Sequence, residues 1–197
     1  MQSIDDKIMI KIKKAKRGSL FFTDDFLSFG SAKAISKALE RLTNNGQINR
    51  IARGIYARLK VDKYIGFVHP SVEEIAQALR KRDKARIIPS GSLALNLLGL
   101  SNQVPTNHVY LTDATARKVS IGGQNIIFKK TAPRNLACIG EISALVIQAL
   151  KSKGQENLLE QDKQKIIEYL RQEESYRLKH DMNLAPEWIR KIMREAI

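Results

Sequence analysis

The stretch AISKALERLTNNGQINRIARGIYARL, Ala34 to Leu59, constrains the fold more than any other part of the chain. Ala34 or Ile35, then Ala38, Leu39 and Leu42, recur at helical spacing and make one apolar stripe. Lys33, Ser36, Lys37, Glu40 and Arg41 are left on the outside. Asn44, Asn45 and Gly46 supply a C-terminal stop. Ile48 to Ala52 and Ile55 to Leu59 then pair as a hairpin about a tight turn at Arg53-Gly54. Arg50, Arg53 and Arg58 fall on or around that hairpin. A helix followed at once by a basic hairpin suits a duplex, with the helix in the major groove and the hairpin on the backbone.

The residues before it complete a small helical unit. Ile4, Ile8, Ile12 and Ala15 predict a helix that starts at Ser3 or Asp5, runs to Lys16 and is ended by Gly18. In GSLFFTDDFLSFGS, Thr23 reads as an N-cap, with Asp24 and Asp25 in the first turn and Phe26, Leu27 and Phe29 as anchors. Gly30 closes this short helix and Ser31 caps the next. The expectation is an α+β chain: a winged helix-turn-helix over residues 1–62, then a small mixed helix-and-sheet domain with a helical tail over residues 63–197.

Charge narrows the partner. The formal net charge of +14 favours a polyanion, a property shared with ribosomal and membrane-surface proteins. It divides as +8 over residues 1–60, +6 over 61–140 and zero over 141–197. Lys33, Ser36, Lys37, Arg41, Arg50, Arg53 and Arg58 are therefore the expected DNA contacts. Arg80, Lys81, Arg82, Lys84 and Arg86 form a basic run that reads first as a solvated face and second as further backbone contacts. Glu40 would repel phosphates unless it accepts from a cytosine amine.

The second domain reads as follows. Ser71 and Glu74 fit a capping box for a helix buried on Val72, Ile75, Ala76 and Leu79. Ala85 to Ile88 is a strand broken by Pro89, and Ser92 caps a helix ending at Gly99. Val109 to Thr112 is a strand. Lys118 to Ile121 and Asn125 to Lys130 form a hairpin through Gly122-Gly123. The tail is helical, with Pro186 in the first turn of a last helix bearing Trp188, which reads as packing.

No catalytic centre is expected. Ser90-Gly91-Ser92 before a helix could cradle a phosphate, but the paired carboxylates that hold magnesium in nucleotidyltransferases are missing near Asp113. One cysteine, Cys138, excludes an intramolecular disulfide and a thiolate zinc cluster; it reads as a buried thiol. His69, His108 and His180 lack metal-ligand spacing, so neither metal nor cofactor is expected. The start MQSIDDKIMI lacks a leader pattern and no apolar run spans a bilayer, so the expected location is the cytoplasm, away from membranes.

Three stretches together resemble the AbiEi family of antitoxins. They are Ala38-Leu39-Glu40-Arg41-Leu42 with Asn45-Gly46; Ile51-Ala52-Arg53-Gly54-Ile55-Tyr56; and Asn96-Leu97-Leu98-Gly99-Leu100-Ser101-Asn102-Gln103-Val104-Pro105 before the strand Val109-Tyr110-Leu111-Thr112. The resemblance covers roughly residues 1–150. It implies the antitoxin of a type IV toxin–antitoxin pair: a repressor of its own operon that binds inverted repeats in the promoter and counteracts a cognate nucleotidyltransferase-like toxin. It puts Lys33, Lys37, Arg41, Arg50, Arg53 and Arg58 on the DNA side. Whether the protein works as monomer or dimer stays open. The alternative is a nucleic-acid-binding or protein-interaction module without operator specificity.

Overall fold

The computed structural model describes residues 2–197. The chain is α+β and falls into two compact units, one ending at Ala78 and the other running from Leu79 to Ile197.

The first unit opens with α1 (Ile4–Lys14). Ser3 Oγ accepts from Asp6 N and the Asp6 carboxylate accepts from Ser3 N, both at 3.1 Å, so the first turn is capped in both directions. Then come β1 (Leu20–Phe22), a 3-10 turn over Thr23–Phe29, α2 (Ala32–Asn44), β2 (Asn49–Ala52) and β3 (Ile55–Ala57). Ser31 caps α2 as expected, its Oγ accepting from Ala34 N at 3.3 Å. Ile35, Ala38, Leu39 and Leu42 are buried along one face. They join Ile8, Ile12 and Phe26 in the core of this unit.

Two expectations change here. Leu-Phe-Phe is a strand, and it makes the hairpin three-stranded in the order β1-β3-β2, all antiparallel. The segment after it is a 3-10 turn, and Thr23 does not cap it. Asp25 instead accepts from Phe22 N at 2.7 Å. The reason is burial: Phe21 and Phe22 both go inside, which commits that backbone to the sheet.

The β2–β3 turn needs Gly54, whose φ is +74°. A register shift between Arg50 and Ala52 leaves Arg50 opposite Tyr56 and Ala52 opposite Ile55. A second hairpin follows, β4 (Lys60–Asp62) and β5 (Gly66–Val68), exposed along both strands. Asp62 closes its turn by accepting from Tyr64 N and Ile65 N. Next is α3 (Val72–Asp83), whose capping box is formed by Ser71 and Glu74.

The second unit contains β6 (Ile87–Pro89), α4 (Ser92–Leu97), β7 (Asn107–Thr112), β8 (Arg117–Ile121) and β9 (Gln124–Lys130). The mixed sheet runs β6-β7-β9-β8, with β7 and β9 parallel and the other pairs antiparallel. Pro89 does not break β6; it pairs with Tyr110 on an edge strand, where its missing N–H costs nothing. Gly91, not Ser92, is the residue before α4.

Helices complete this unit: α5 (Glu141–Lys153), α6 (Glu160–Leu170), α7 (Ser175–Met182) and α8 (Glu187–Arg194). They bury Val146, Leu150, Ile166, Leu170, Leu178 and Ile189 in one core, with Trp188 partly buried against it. Gly140 at the start of α5 has no side chain to cap it. Two carboxylates from later in the chain do so. Asp181 accepts from Ile139 N and Gly140 N at 2.9 Å each and from Ser143 Oγ. Glu173 accepts from Ile142 N at 2.9 Å and Ser143 N at 3.3 Å.

Candidate functional site

On the first unit, α2 and the β2–β3 hairpin border one open groove of about 500 Å³. Ser36, Glu40, Thr43 and Asn44 come from the helix, and Arg50, Arg53, Gly54 and Tyr56 from the hairpin. Helical spacing explains the first set, since residues 36, 40, 43 and 44 share a face. Cross-strand pairing explains the second, since Arg50 sits opposite Tyr56.

Lys33 and Lys37 are exposed on α2 beside this groove. Among the described residues, the side chains of Lys33, Lys37, Arg50 and Arg53 have neither an ion pair nor a hydrogen-bond partner. Such cations are free to meet an anion without first breaking a protein contact. Among the described residues Glu40 is the single carboxylate lining the groove.

The other two expected contacts are placed differently. Arg41 turns toward α1, where Nε and Nη2 donate to the two Asp5 oxygens at 3.1 and 2.6 Å. Its guanidinium fork is thus occupied within the protein. Arg58 is half-buried in a separate recess with Lys13, Arg17 and Asn49. Tyr56, Thr43 and Asn44 were missed as groove residues, although the helical spacing and the hairpin register both pointed to them.

The basic run from Arg80 is largely engaged within the second unit. Arg82 and Arg117 both pair with Asp83, and the Arg117 guanidinium lies 4.9 Å from the centre of the Phe128 ring. Burial opposes ionisation of Asp83, but the hydrogen bonds from Arg82 and Arg117 hold its carboxyl below the ordinary range. Arg86 donates through its backbone N to Asp113 at 2.9 Å and through Nη1 to the Leu136 carbonyl at 3.2 Å. Lys81 and Lys84 remain exposed, Lys84 in a left-handed conformation at φ +50° just past α3.

Asp113 accepts from Arg86 N through Oδ1. Among the described residues no cluster of three or more His, Cys, Asp or Glu side chains is placed to hold a metal ion. Ser143 and His180 bind opposite oxygens of Asp181, so the imidazole is not set as a base for that hydroxyl. Among the described residues no helix is long and apolar enough to cross a membrane.

No curated protein matches the chain. One family model does, and it spans residues 7–178, from α1 through the middle of α7. On that match the chain belongs to DUF6088, a family of unknown function.

Proposed function

We propose that the protein is a sequence-specific repressor that binds double-stranded DNA through a winged helix-turn-helix over residues 1–62. α2 enters the major groove, and the β2–β3 wing lies on the flanking backbone. The observation that carries this reading is the groove itself: Arg50 and Arg53 border it, Lys33 and Lys37 flank it, and all four lack an internal partner among the described residues. Ser36 and Asn44 supply neutral groups suited to base edges. Arg50 and Arg53 supply affinity and register through phosphates.

The biological role follows from the resemblance to AbiEi antitoxins. In this reading the protein acts in the cytoplasm as the antitoxin of a type IV pair. It represses its own operon at inverted repeats and counteracts a nucleotidyltransferase-like toxin without catalysing a reaction itself. The test is binding of the purified protein to its own upstream DNA and to a scrambled duplex of equal length, at roughly 150 mM salt. A preference of about tenfold or more for the native fragment is the expected result. Equal affinity for both would leave a general nucleic-acid binder, and binding to neither would replace DNA with a protein partner. Co-expression with the neighbouring gene product then tests the antitoxin role: growth is rescued only when both are present.

A further inference from the structure

A second basic recess lies on the first unit, apart from the α2 groove. It is open, about 340 Å³, and Lys13, Arg17 and Arg58 converge on it. Among the described residues no carboxylate lines it. Among the described residues the Lys13 and Arg58 side chains make no ion pair and no hydrogen bond, and Arg17 makes one long bond, 3.4 Å, to the Leu59 carbonyl. Arg41, by contrast, is met by Asp5. Three like charges gathered without one repel each other, and a multiply charged anion relieves that repulsion.

The rest of the lining is specific about the kind of anion. Gln47 and Asn49 add neutral amides, which can donate to phosphate oxygens or pair with a base edge. Phe67 and Met9 add an apolar wall, and the Phe67 side chain is exposed at 58% with its ring available for stacking. The volume lies at the small end of the range of ligand sites, about 300–1,000 Å³. We propose that this recess binds one nucleotide, with its phosphates on Lys13, Arg17 and Arg58 and its base against Phe67. A free nucleotide and a single nucleotide of a nucleic-acid strand carry the same chemistry.

The test is calorimetric titration of the full chain with ATP, with a short single-stranded oligonucleotide and with inorganic pyrophosphate. Arg58→Gln, Lys13→Gln and Phe67→Ala are compared with Arg53→Gln, which lies on the other groove. Circular dichroism checks that each variant is folded. The expected result is saturable binding that Arg58→Gln and Lys13→Gln each weaken by about tenfold. Phe67→Ala weakens the nucleotide but not pyrophosphate, and Arg53→Gln changes neither. Tighter binding of ATP than of one oligonucleotide site names a free nucleotide as the source; the reverse names a strand. The proposal is overturned if none of the three probes binds at millimolar concentration, if pyrophosphate binds as tightly as ATP, or if Arg53→Gln abolishes ATP binding as fully as Arg58→Gln. The duplex reading is tested separately, by Arg53→Gln on duplex DNA, so an absence of nucleotide binding leaves it standing.

Discussion

Arg41 and Arg53 carry the same charge in the same unit, yet the structure uses them differently. Arg41 is clasped by Asp5, whereas Arg53 borders the groove without a partner among the described residues. Under the proposed function, Arg53→Gln should weaken duplex binding about equally across sequences and lower the slope of log K against log salt by about one. Arg41→Gln should leave duplex affinity within about twofold. Asp5→Asn should raise it a few-fold at low salt, since it removes an anion and releases a cation near α2. Fluorescence anisotropy on a salt series reads all three. Cys138 is the other residue with a sharp expectation. Burial first, then the charge of Asp181, push its thiol from the ordinary 9.0 up to about 11. Iodoacetamide at pH 8 should thus label the native protein at least about tenfold more slowly than the urea-unfolded chain. The linked stability has a definite sign: the thiol keeps its proton better when folded, so its contribution is intact below pH 9.0 and is lost as pH rises toward about 11.

At the scale of elements, legibility followed how locally each one is determined. α1 and α2 carry their stripes and caps within a few residues, so their cores and the Ser31 cap could be read directly. β1 could not, because Leu20–Phe22 becomes a strand only by pairing with Ile55–Ala57 far along the chain. Pro89 misled for the same reason: its tolerance depends on lying at a sheet edge. The start of α5 is the extreme case, since its caps, Asp181 and Glu173, arrive from distant residues. A Cβ at Gly140 would collide with the Glu173 carboxylate and Ser143 Oγ, so a larger residue there would have to displace that cap. Asp181 is fully buried. Its replacement by alanine strands two backbone donors and one hydroxyl, and the expected loss is about 3 kcal/mol. Urea unfolding would show it as a lower midpoint at unchanged slope, with Asp181→Asn losing less because it still accepts.

For the whole molecule, the uneven charge of the sequence was the legible part, and its use was not. A count of lysines and arginines treats every cation alike. Among the described residues, Arg82 and Arg117 are bound to Asp83, Arg86 to the Leu136 carbonyl, Arg41 to Asp5, while Arg58 faces a different recess. Arg50 and Arg53 line the groove and Lys33 and Lys37 are exposed on α2 beside it, and these four set the last prediction. If they are the phosphate contacts, each protein bound should release counterions from about four phosphates, and log K should fall with log salt at a slope of about −3.6. A double variant Lys81→Gln/Lys84→Gln should leave that slope unchanged. Lys33→Gln/Lys37→Gln should reduce it by about two, again with anisotropy as the readout. A slope near −8 in the unaltered protein, flattened by the Lys81 and Lys84 changes, would instead extend the footprint onto the second unit. The formal charge of +14 is compatible with either slope, so under the proposed function only the titration separates four phosphate contacts from a larger number.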